Sequence, residues 1–332
     1  MKRILFRADA HISIGSGDLV SLIHLSDYFS RSGWEIHFML RNYDIGMSIA
    51  RQYRLKKITT IASDVSVENE VSIINEYIFE NNINVVFLEI TERPLTEYRG
   101  LTKNVIKGCV CFDGLIPNDM DLVVNWDIGS KQLFNPSARR RTRFLLGPKY
   151  AILPISFNNK AIANRIYKKK TESVLVTMGG VDKLNLTRKV TEILIEYNLP
   201  YKIKIVLGVG YKYRSALEKM LSASGLKYKI EHNVTNMLPE YLECDVAVAS
   251  GGLTAYELIA AKTPAVLIAA YKHQIKRCLY FVHKKLVKYI GFRDFDREDL
   301  IKNIQAPLIP VKSNIFHTEK IKEAIDEIMR RR

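Results

Sequence analysis

The feature that most constrains this chain is a recurring junction: an apolar run of strand length, one or two glycines, then an amphipathic stretch of helical period. It occurs at residues 3–7 ahead of Ile14-Gly15-Ser16-Gly17-Asp18, at 173–178 ahead of Gly179-Gly180-Val181-Asp182, and at 245–250 ahead of Gly251-Gly252-Leu253-Thr254. Such junctions belong to βα units, in which a crossover helix returns the chain so that the next strand runs parallel to the last. The sequence between them keeps the same rhythm. Residues 35–40, 57–61, 84–90, 108–112 and 122–125 read as strands, and 18–32, 44–53 and 66–80 as helices, the first closed by Gly33. Asn84-Val85-Val86-Phe87-Leu88-Glu89-Ile90 is almost continuously apolar, as a strand covered on both faces must be.

The rhythm breaks over residues 129–170, where Pro136, Pro148, Pro154, Arg139-Arg140-Arg141-Thr142-Arg143 and Lys168-Lys169-Lys170 cluster, and then restarts. Strands are expected at 173–178, 201–207, 228–231, 245–250 and 264–269, and helices at 186–196, 214–222 and 254–261, with an amphipathic tail helix at 318–330. A chain of 332 residues exceeds what one core usually holds. The expectation is an α/β chain of two Rossmann-like domains, 1–150 and 151–312, followed by a C-terminal helix at 313–332. Ligands of open parallel sheets sit beyond the carboxyl ends of the strands, so two facing sheets predict a site in the cleft between domains.

Charge separates the two halves. Residues 1–150 carry 19 basic and 17 acidic side chains, a balance of +2; residues 151–332 carry 31 and 18, a balance of +13. A basic half meets the phosphates of a nucleotide, a nucleic acid or an anionic membrane, or is simply a solvated lysine-rich surface. The run Lys272 to Lys288, interleaved with Tyr271, Tyr280, Phe281 and Tyr289, has the composition of a single-strand binder. Its helical spacing instead assigns the aromatics to a core, and no nucleic-acid module surrounds them, so no nucleic-acid partner is expected. The arginines from Arg139 to Arg143 read as a solvated linker, or as a contact for an anionic acceptor or lipid phosphate. No apolar run approaches the roughly 20 residues that span a bilayer, and the charged start Met1-Lys2-Arg3 is unlike a signal peptide. Cys109, Cys111, Cys244 and Cys278 are too irregular for a disulfide framework. A cytoplasmic protein with reduced thiols is expected, with peripheral contact at the inner membrane face left open.

At the junctions, glycine admits sharp turns and close approach of a ligand, while the following helix presents unpaired amides and a positive dipole end. None of the three fits G-x-G-x-x-G or G-x-x-x-x-G-K-[ST]. The third is the sharpest, because Ser250 and Thr254 add hydroxyls and Glu257 follows within the helix. A carboxylate there can accept both hydroxyls of a ribose, or serve only as a partner of the helix dipole. His24 and His37 read as packing residues, and His232, His283 and His317 lack metal-ligand spacing, so no metal and no cofactor are expected. Asp113-Gly114 is a strand-end turn or part of a sugar pocket.

Phe6-Arg7-Ala8-Asp9-Ala10 with Ile14-Gly15-Ser16-Gly17, Leu146-Gly147-Pro148-Lys149-Tyr150-Ala151-Ile152-Leu153, Met178-Gly179-Gly180-Val181-Asp182-Lys183-Leu184-Asn185-Leu186-Thr187, and Ser250-Gly251-Gly252-Leu253-Thr254-Ala255-Tyr256-Glu257-Leu258 occur in that order. Together they resemble the UDP-sugar hydrolases of the pseudaminic acid pathway, the PseG/SpsG group. His273-Gln274 stands where that group usually reads Asn-Gln. The resemblance implies a GT-B architecture, shared with the glycosyltransferase that adds N-acetylglucosamine to peptidoglycan precursors. It implies a nucleotide-sugar donor and a C-terminal domain that holds the nucleotide diphosphate. Gly15, Gly17, Gly179, Gly180, Asn185, Ser250, Gly251, Gly252, Thr254, Glu257, His273 and Gln274 are the expected donor-binding residues.

One departure bears on the reaction. The group's first glycine loop is followed by His and, three residues later, Arg; this chain has Asp18 and Ser21. Asp18 can act as general base if its surroundings raise its basicity, or can cap the helix. Asp9 is a second carboxylate of the same loop or a turn residue, and His11 could replace the missing imidazole. The expectation is an inverting glycosyltransferase of surface-glycan synthesis, using a UDP- or CMP-sugar and a sugar or lipid-linked acceptor. The alternative is a hydrolase that uses water.

Overall fold

Buried apolar strands alternating with half-apolar helices give two separate parallel sheets. In the computed structural model, which describes residues 1–134, 141–309 and 315–332, the chain divides into Met1–Ile155 with Ile315–Arg332, and Ser156–Asn314.

The first unit contains β1 (Arg3–Ala8), α1 (Gly17–Ser30), β2 (Glu35–Arg41), α2 (Asp44–Gln52), β3 (Ile58–Ile61), α3 (Val67–Glu80), β4 (Val85–Glu89), β5 (Ile106–Val110), β6 (Leu122–Asn125), α4 (Ser130–Leu133) and β7 (Arg143–Leu146). The seven strands are all parallel, in the order β3-β2-β1-β4-β5-β6-β7. One face of the central strands is aromatic: Phe6 packs on Phe38, Phe87 and, from α1, Phe29. The opposite face buries Leu5, Met39, Val86 and Leu88 with Ile74 and Ile78 of α3. The order reverses between β1 and β4, so the crevice at their carboxyl ends is the topological switch point.

The second unit contains α5 (Lys160–Ala163), β8 (Ser173–Thr177), α6 (Leu186–Tyr197), β9 (Lys202–Leu207), α7 (Arg214–Ser222), β10 (Lys227–His232), α8 (Leu238–Glu243), β11 (Val246–Ser250), α9 (Leu253–Ala260), β12 (Ala265–Ala269), α10 (Lys272–His283), β13 (Lys288–Phe292) and α11 (Arg297–Gln305). Its sheet is again parallel, in the order β10-β9-β8-β11-β12-β13, with its switch point between β8 and β11.

The final helix, α12 (Glu319–Arg331), belongs to the first unit. Ile321, Ala324 and Ile325 are fully buried. Before it, Thr318 Oγ1 accepts from Leu153 N (3.0 Å) and donates to Ala151 O (2.8 Å), and after it Arg332 holds both oxygens of Asp121 at 2.8 Å.

The stretch 129–170 is more than a connection. It supplies β7, whose Phe144-Leu145-Leu146 core is short and preceded by arginines, so its apolar pattern is masked in the sequence. Arg143 within that stretch pairs with Glu327 of α12. Arg139 and Arg140 lie outside the described residues, as does the expected boundary between 312 and 313. The elements α8, β13 and α11 were not expected from the sequence. All four cysteines are buried and unpaired, and His24 and His37 are buried. Asp113 Oδ1 accepts from Leu115 N at 2.8 Å, which makes it a turn residue.

Candidate functional site

Each switch point carries polar groups that its local sequence explains. In the first unit, β1 ends in Ala8 and the chain makes a tight hairpin in which Gly15 N donates to His11 O at 2.7 Å and His11 N to Gly15 O at 3.1 Å. Gly15 adopts φ +87°, the left-handed region in which glycine is favoured. Gly17 then opens α1, and Asp18 sits in its first turn. Ser16, at the N-cap, makes no side-chain cap, and Asp18 makes none either: its Oδ2 accepts from Thr91 Oγ1 at 2.6 Å. Burial pushes the Asp18 carboxyl up to about 7, with added repulsion from Asp9 and Glu92 and partial relief from Thr91. That is the basicity a general base needs near neutral pH.

Behind Asp18 stands Glu89, the last residue of β4 and 2% exposed. Ser21 Oγ bridges the two, within reach of Asp18 O at 3.0 Å and in a short contact with Glu89 Oε2. Burial first, then the Asp18 charge, push the Glu89 carboxyl well above the ordinary range.

Asp9 has different work. Its Oδ2 accepts from Arg7 Nη2 at 2.7 Å and its Oδ1 from Arg41 N at 2.7 Å. Arg7 also donates to Glu70 Oε1 (2.8 Å), and Arg41 to Glu70 Oε2 (2.5 Å), while Tyr98 OH donates to Oε1 at 2.8 Å. Burial alone would raise the Glu70 carboxyl, but Arg7 and the donated hydrogen bonds bring it below the usual range. Both Asp9 oxygens thus serve a buried ion network at the ends of β1 and β2. His11 keeps its ring beside Tyr43, with Nδ1 2.9 Å from Ser13 Oγ.

In the second unit the two remaining glycine junctions adjoin. Ser250 Oγ, at the end of β11, donates to Met178 O at 3.3 Å, just before Gly179-Gly180. Gly251 N continues the ladder to Ile268 O (3.2 Å), which leaves the amides of 252–254 as the donors at the start of α9. A Cβ on Gly251 would stand 2.5 Å from Cys278 Sγ, so no side chain fits without movement. Arg277 of α10, 6% exposed, donates from Nη1 to Gly251 O at 3.1 Å and lies 5.2 Å over the Tyr256 ring. A buried cation therefore backs the glycine turn. Gln274 Oε1 accepts from Ala270 N at 2.8 Å, which holds its amide beside Gly251 and Gly252. His273 is exposed and stacks on Tyr271.

Glu257 lies one turn into α9 and is 7% exposed. Tyr241 OH donates to its Oε2 at 2.7 Å. Burial raises the Glu257 carboxyl and the tyrosine bond partly offsets it. The α6 start is organised otherwise. Asp182, at φ +42°, accepts from Leu186 N (2.9 Å) and Thr187 N (2.8 Å), so the protein's own carboxylate occupies that helix end. Asn185 Oδ1 accepts from Tyr211 OH at 2.7 Å.

The sequence placed Ser250, Gly251, Gly252, Thr254 and Glu257 at one junction; Gln274, expected after the 264–269 strand, proves to be a neighbour of Gly251 and Gly252. The sequence singled out neither Glu89 nor Arg277. Glu89 is a lone acid inside an apolar run, a signal that could have been read; Arg277 is one cation among many in its segment. Among the described residues no group of three or more His, Cys, Asp or Glu could hold a metal ion, and no helix is long and apolar enough to cross a membrane.

Two Rossmann-like parallel-sheet units in one chain define the GT-B fold. Solved structures similar over nearly the whole chain include a UDP co-structure of Staphylococcus aureus MnaA (TM-score 0.65, 11% identical, covering 100% of this chain and 97% of that one). Another is MurG of Acinetobacter baumannii (TM-score 0.62, 12% identical, 91% and 89% covered). A third is the UDP-GlcNAc 2-epimerase of Methanocaldococcus jannaschii (TM-score 0.62, 13% identical, 99% and 100% covered).

Residues 173–330 match the glycosyltransferase family 28 C-terminal domain. An uncharacterized protein of Methanocaldococcus jannaschii is 29% identical over 248 residues, 69% of this chain and 50% of that protein. The spore coat polysaccharide biosynthesis protein SpsG of Bacillus subtilis is 27% identical over 135 residues, 40% of this chain and 39% of that protein. The chain thus spans half or less of the length of these curated relatives.

Proposed function

We propose that the chain is a nucleotide-sugar-dependent enzyme of the GT-B type: an inverting glycosyltransferase that takes a UDP-sugar and serves surface-glycan synthesis. The observation that carries this reading is the β11–α9 junction. There, amides of residues 252–254 at a helix start are backed by buried Arg277, with buried Glu257 one turn further on. Oriented amides and a fixed cation favour a diphosphate without reorganisation. Glu257, held by Tyr241, accepts from the ribose hydroxyls. Gln274 orients the donor beside Gly252, with His273 at its rim.

Asp18 supplies the base. In the reaction it takes the proton of an acceptor hydroxyl, the acceptor oxygen bonds to the anomeric carbon, and the bond from that carbon to the diphosphate breaks. The departing electron pair goes to a phosphate oxygen, where the amides and Arg277 stabilise the charge. In this reading Asp9, Asn185 and Asp182 are scaffold groups rather than reacting ones, and His11 packs on Tyr43 and Ser13 in the loop ahead of α1.

A second reading has water as the acceptor, making the chain a nucleotide-sugar hydrolase. The ordered N-terminal and glycine motifs and the similarity to SpsG favour it. Purified protein incubated with UDP-sugars, and with CMP-sugars as control donors, separates the two. Transfer predicts UDP release only when a sugar or lipid-linked acceptor is added; release with water alone, together with free sugar, establishes hydrolysis. No release from any donor contradicts both. Glu257→Ala is expected to weaken UDP binding about tenfold, the value of one buried hydrogen-bonding partner. Unchanged affinity would remove Glu257 from the nucleotide site.

A further inference from the structure

We propose that Glu89 is a positioning residue for Asp18: a neutral carboxylic acid that holds the first turn of α1 through Ser21, leaving Asp18 as the carboxylate that exchanges the acceptor's proton. The inference deepens the reading of Asp18 as the base and rests on it.

Ser21 Oγ lies within hydrogen-bond reach of two oxygens, Asp18 O at 3.0 Å and Glu89 Oε2. A hydroxyl has one proton and cannot donate to both. Both contacts are satisfied when Glu89 carries a proton and donates it to Ser21 Oγ, while Ser21 donates to Asp18 O. An ionised Glu89 would take the Ser21 proton, so that Ser21 could no longer donate to the Asp18 carbonyl, which would keep only its bond within α1.

Charge points the same way. Glu89 is 2% exposed, and among the described residues no lysine, arginine or histidine forms an ion pair with it. The arginines nearby in sequence, Arg7 and Arg93, are directed to Asp9 and Glu70. A buried carboxylate without a counter-ion stays protonated. Asp18 differs. It is half-buried and receives the Thr91 hydroxyl at 2.6 Å, a bond that favours its charged form. The other charged groups acting on Asp18 are Asp9, from the loop after β1, and Glu92, from the loop after β4. Both are acidic, so they keep Asp18 basic without offering it a cation. Of these two coupled carboxyls, half-buried Asp18 with its donated hydrogen bond ionises first, and the more deeply buried Glu89 holds its proton.

The test is a carboxyl-carbon NMR titration of the intact protein, with Asp18→Asn and Glu89→Gln used to assign the two resonances, alongside UDP release from a UDP-sugar. The Glu89 carbon is expected to keep its acid-form shift well past the ordinary glutamate range, and still to hold it where the Asp18 carbon has already titrated. Glu89→Gln keeps a neutral donor. It is expected to hold the Asp18 midpoint within about half a unit and turnover within about twofold. Glu89→Ala is expected to move that midpoint and to lose about tenfold in kcat with the donor KM unchanged, as loss of one buried hydrogen bond would. A Glu89 carbon that titrates as an ordinary carboxylate overturns the proposal, as does a Gln variant as impaired as the Ala variant. The Gln variant keeps the test decisive if the Ala variant does not fold. The titration needs no turnover, so an acid-form Glu89 in a protein that cleaves no nucleotide sugar would count against the enzyme reading alone.

Discussion

Asp18 shows how one side chain's surroundings become a measurable property of the whole protein. Folding raises its carboxyl from 3.8 to about 7. Below the lower value both folded and unfolded chains are protonated there, and stability is unaffected. Between the two values the unfolded chain ionises first, so stability falls as pH rises toward the folded value. Asp18→Asn removes that loss. The variant should match the parent in thermal midpoint near about pH 4 and exceed it near about pH 8; a gap that stays constant with pH would contradict the raised pKa. Turnover should respond in the opposite sense. The same substitution is expected to cost about 100-fold or more in kcat, the usual contribution of a general base, with UDP affinity retained. The parent rate should rise with pH through a single ionisation near about 7. Asp18 was legible in the sequence because it directly follows a glycine loop. Its basicity was not, because that comes first from burial in the fold and is then set by Asp9 nearby and by Thr91 and Glu92, more than seventy positions away.

At the scale of elements, the glycine junctions are held by neighbours that the local sequence does not reveal. Gly208, just after β9, is the clearest. A Cβ there would stand 2.3 Å from Gly180 O and 2.4 Å from Gly180 Cα. Both are backbone atoms, with no flexible side chain to give way. Gly210 N donates to the same Gly180 O at 2.9 Å, so the loop after β9 is the floor under the second junction. Gly208→Ala is expected to destabilise the protein by about 1–3 kcal/mol, as overpacking does, read by denaturant midpoint at unchanged slope. A variant of parental stability would show that the loop yields freely. The sequence reading found Gly179-Gly180 as a unit but could not see Gly208, since the clash forms across strands. It also read most strands to within a residue or two, because fully buried parallel strands are continuous apolar runs. It missed β7, whose three apolar residues follow a basic cluster, and β13, Lys288-Tyr289-Ile290-Gly291-Phe292, which is polar at its start and half-buried throughout.

Over the whole molecule, chain order and spatial order differ at one place. The last helix closes the first unit rather than extending the second. Its amphipathic pattern was plain in the sequence, whereas the surface it covers was not, since Ile321 and Ile325 would suit any apolar groove. Removing residues 315–332 uncovers those two fully buried isoleucines' partners and the Thr318 and Arg332 bonds. The loss is about 2–3 kcal/mol for each isoleucine. Truncation should therefore make residues 1–155 the first region to lose amide-exchange protection, with β8, β11 and β12 still protected. Loss confined to the second unit would contradict the assignment of α12. The division of labour proposed for the two units, a nucleotide grip in one and a base in the other, rests above all on the β11–α9 junction. Its most direct test is a crystal structure of the protein grown with UDP. The diphosphate is expected against the amides of 252–254 and the ribose hydroxyls against Glu257. UDP seated elsewhere, with that helix start untouched, would contradict it.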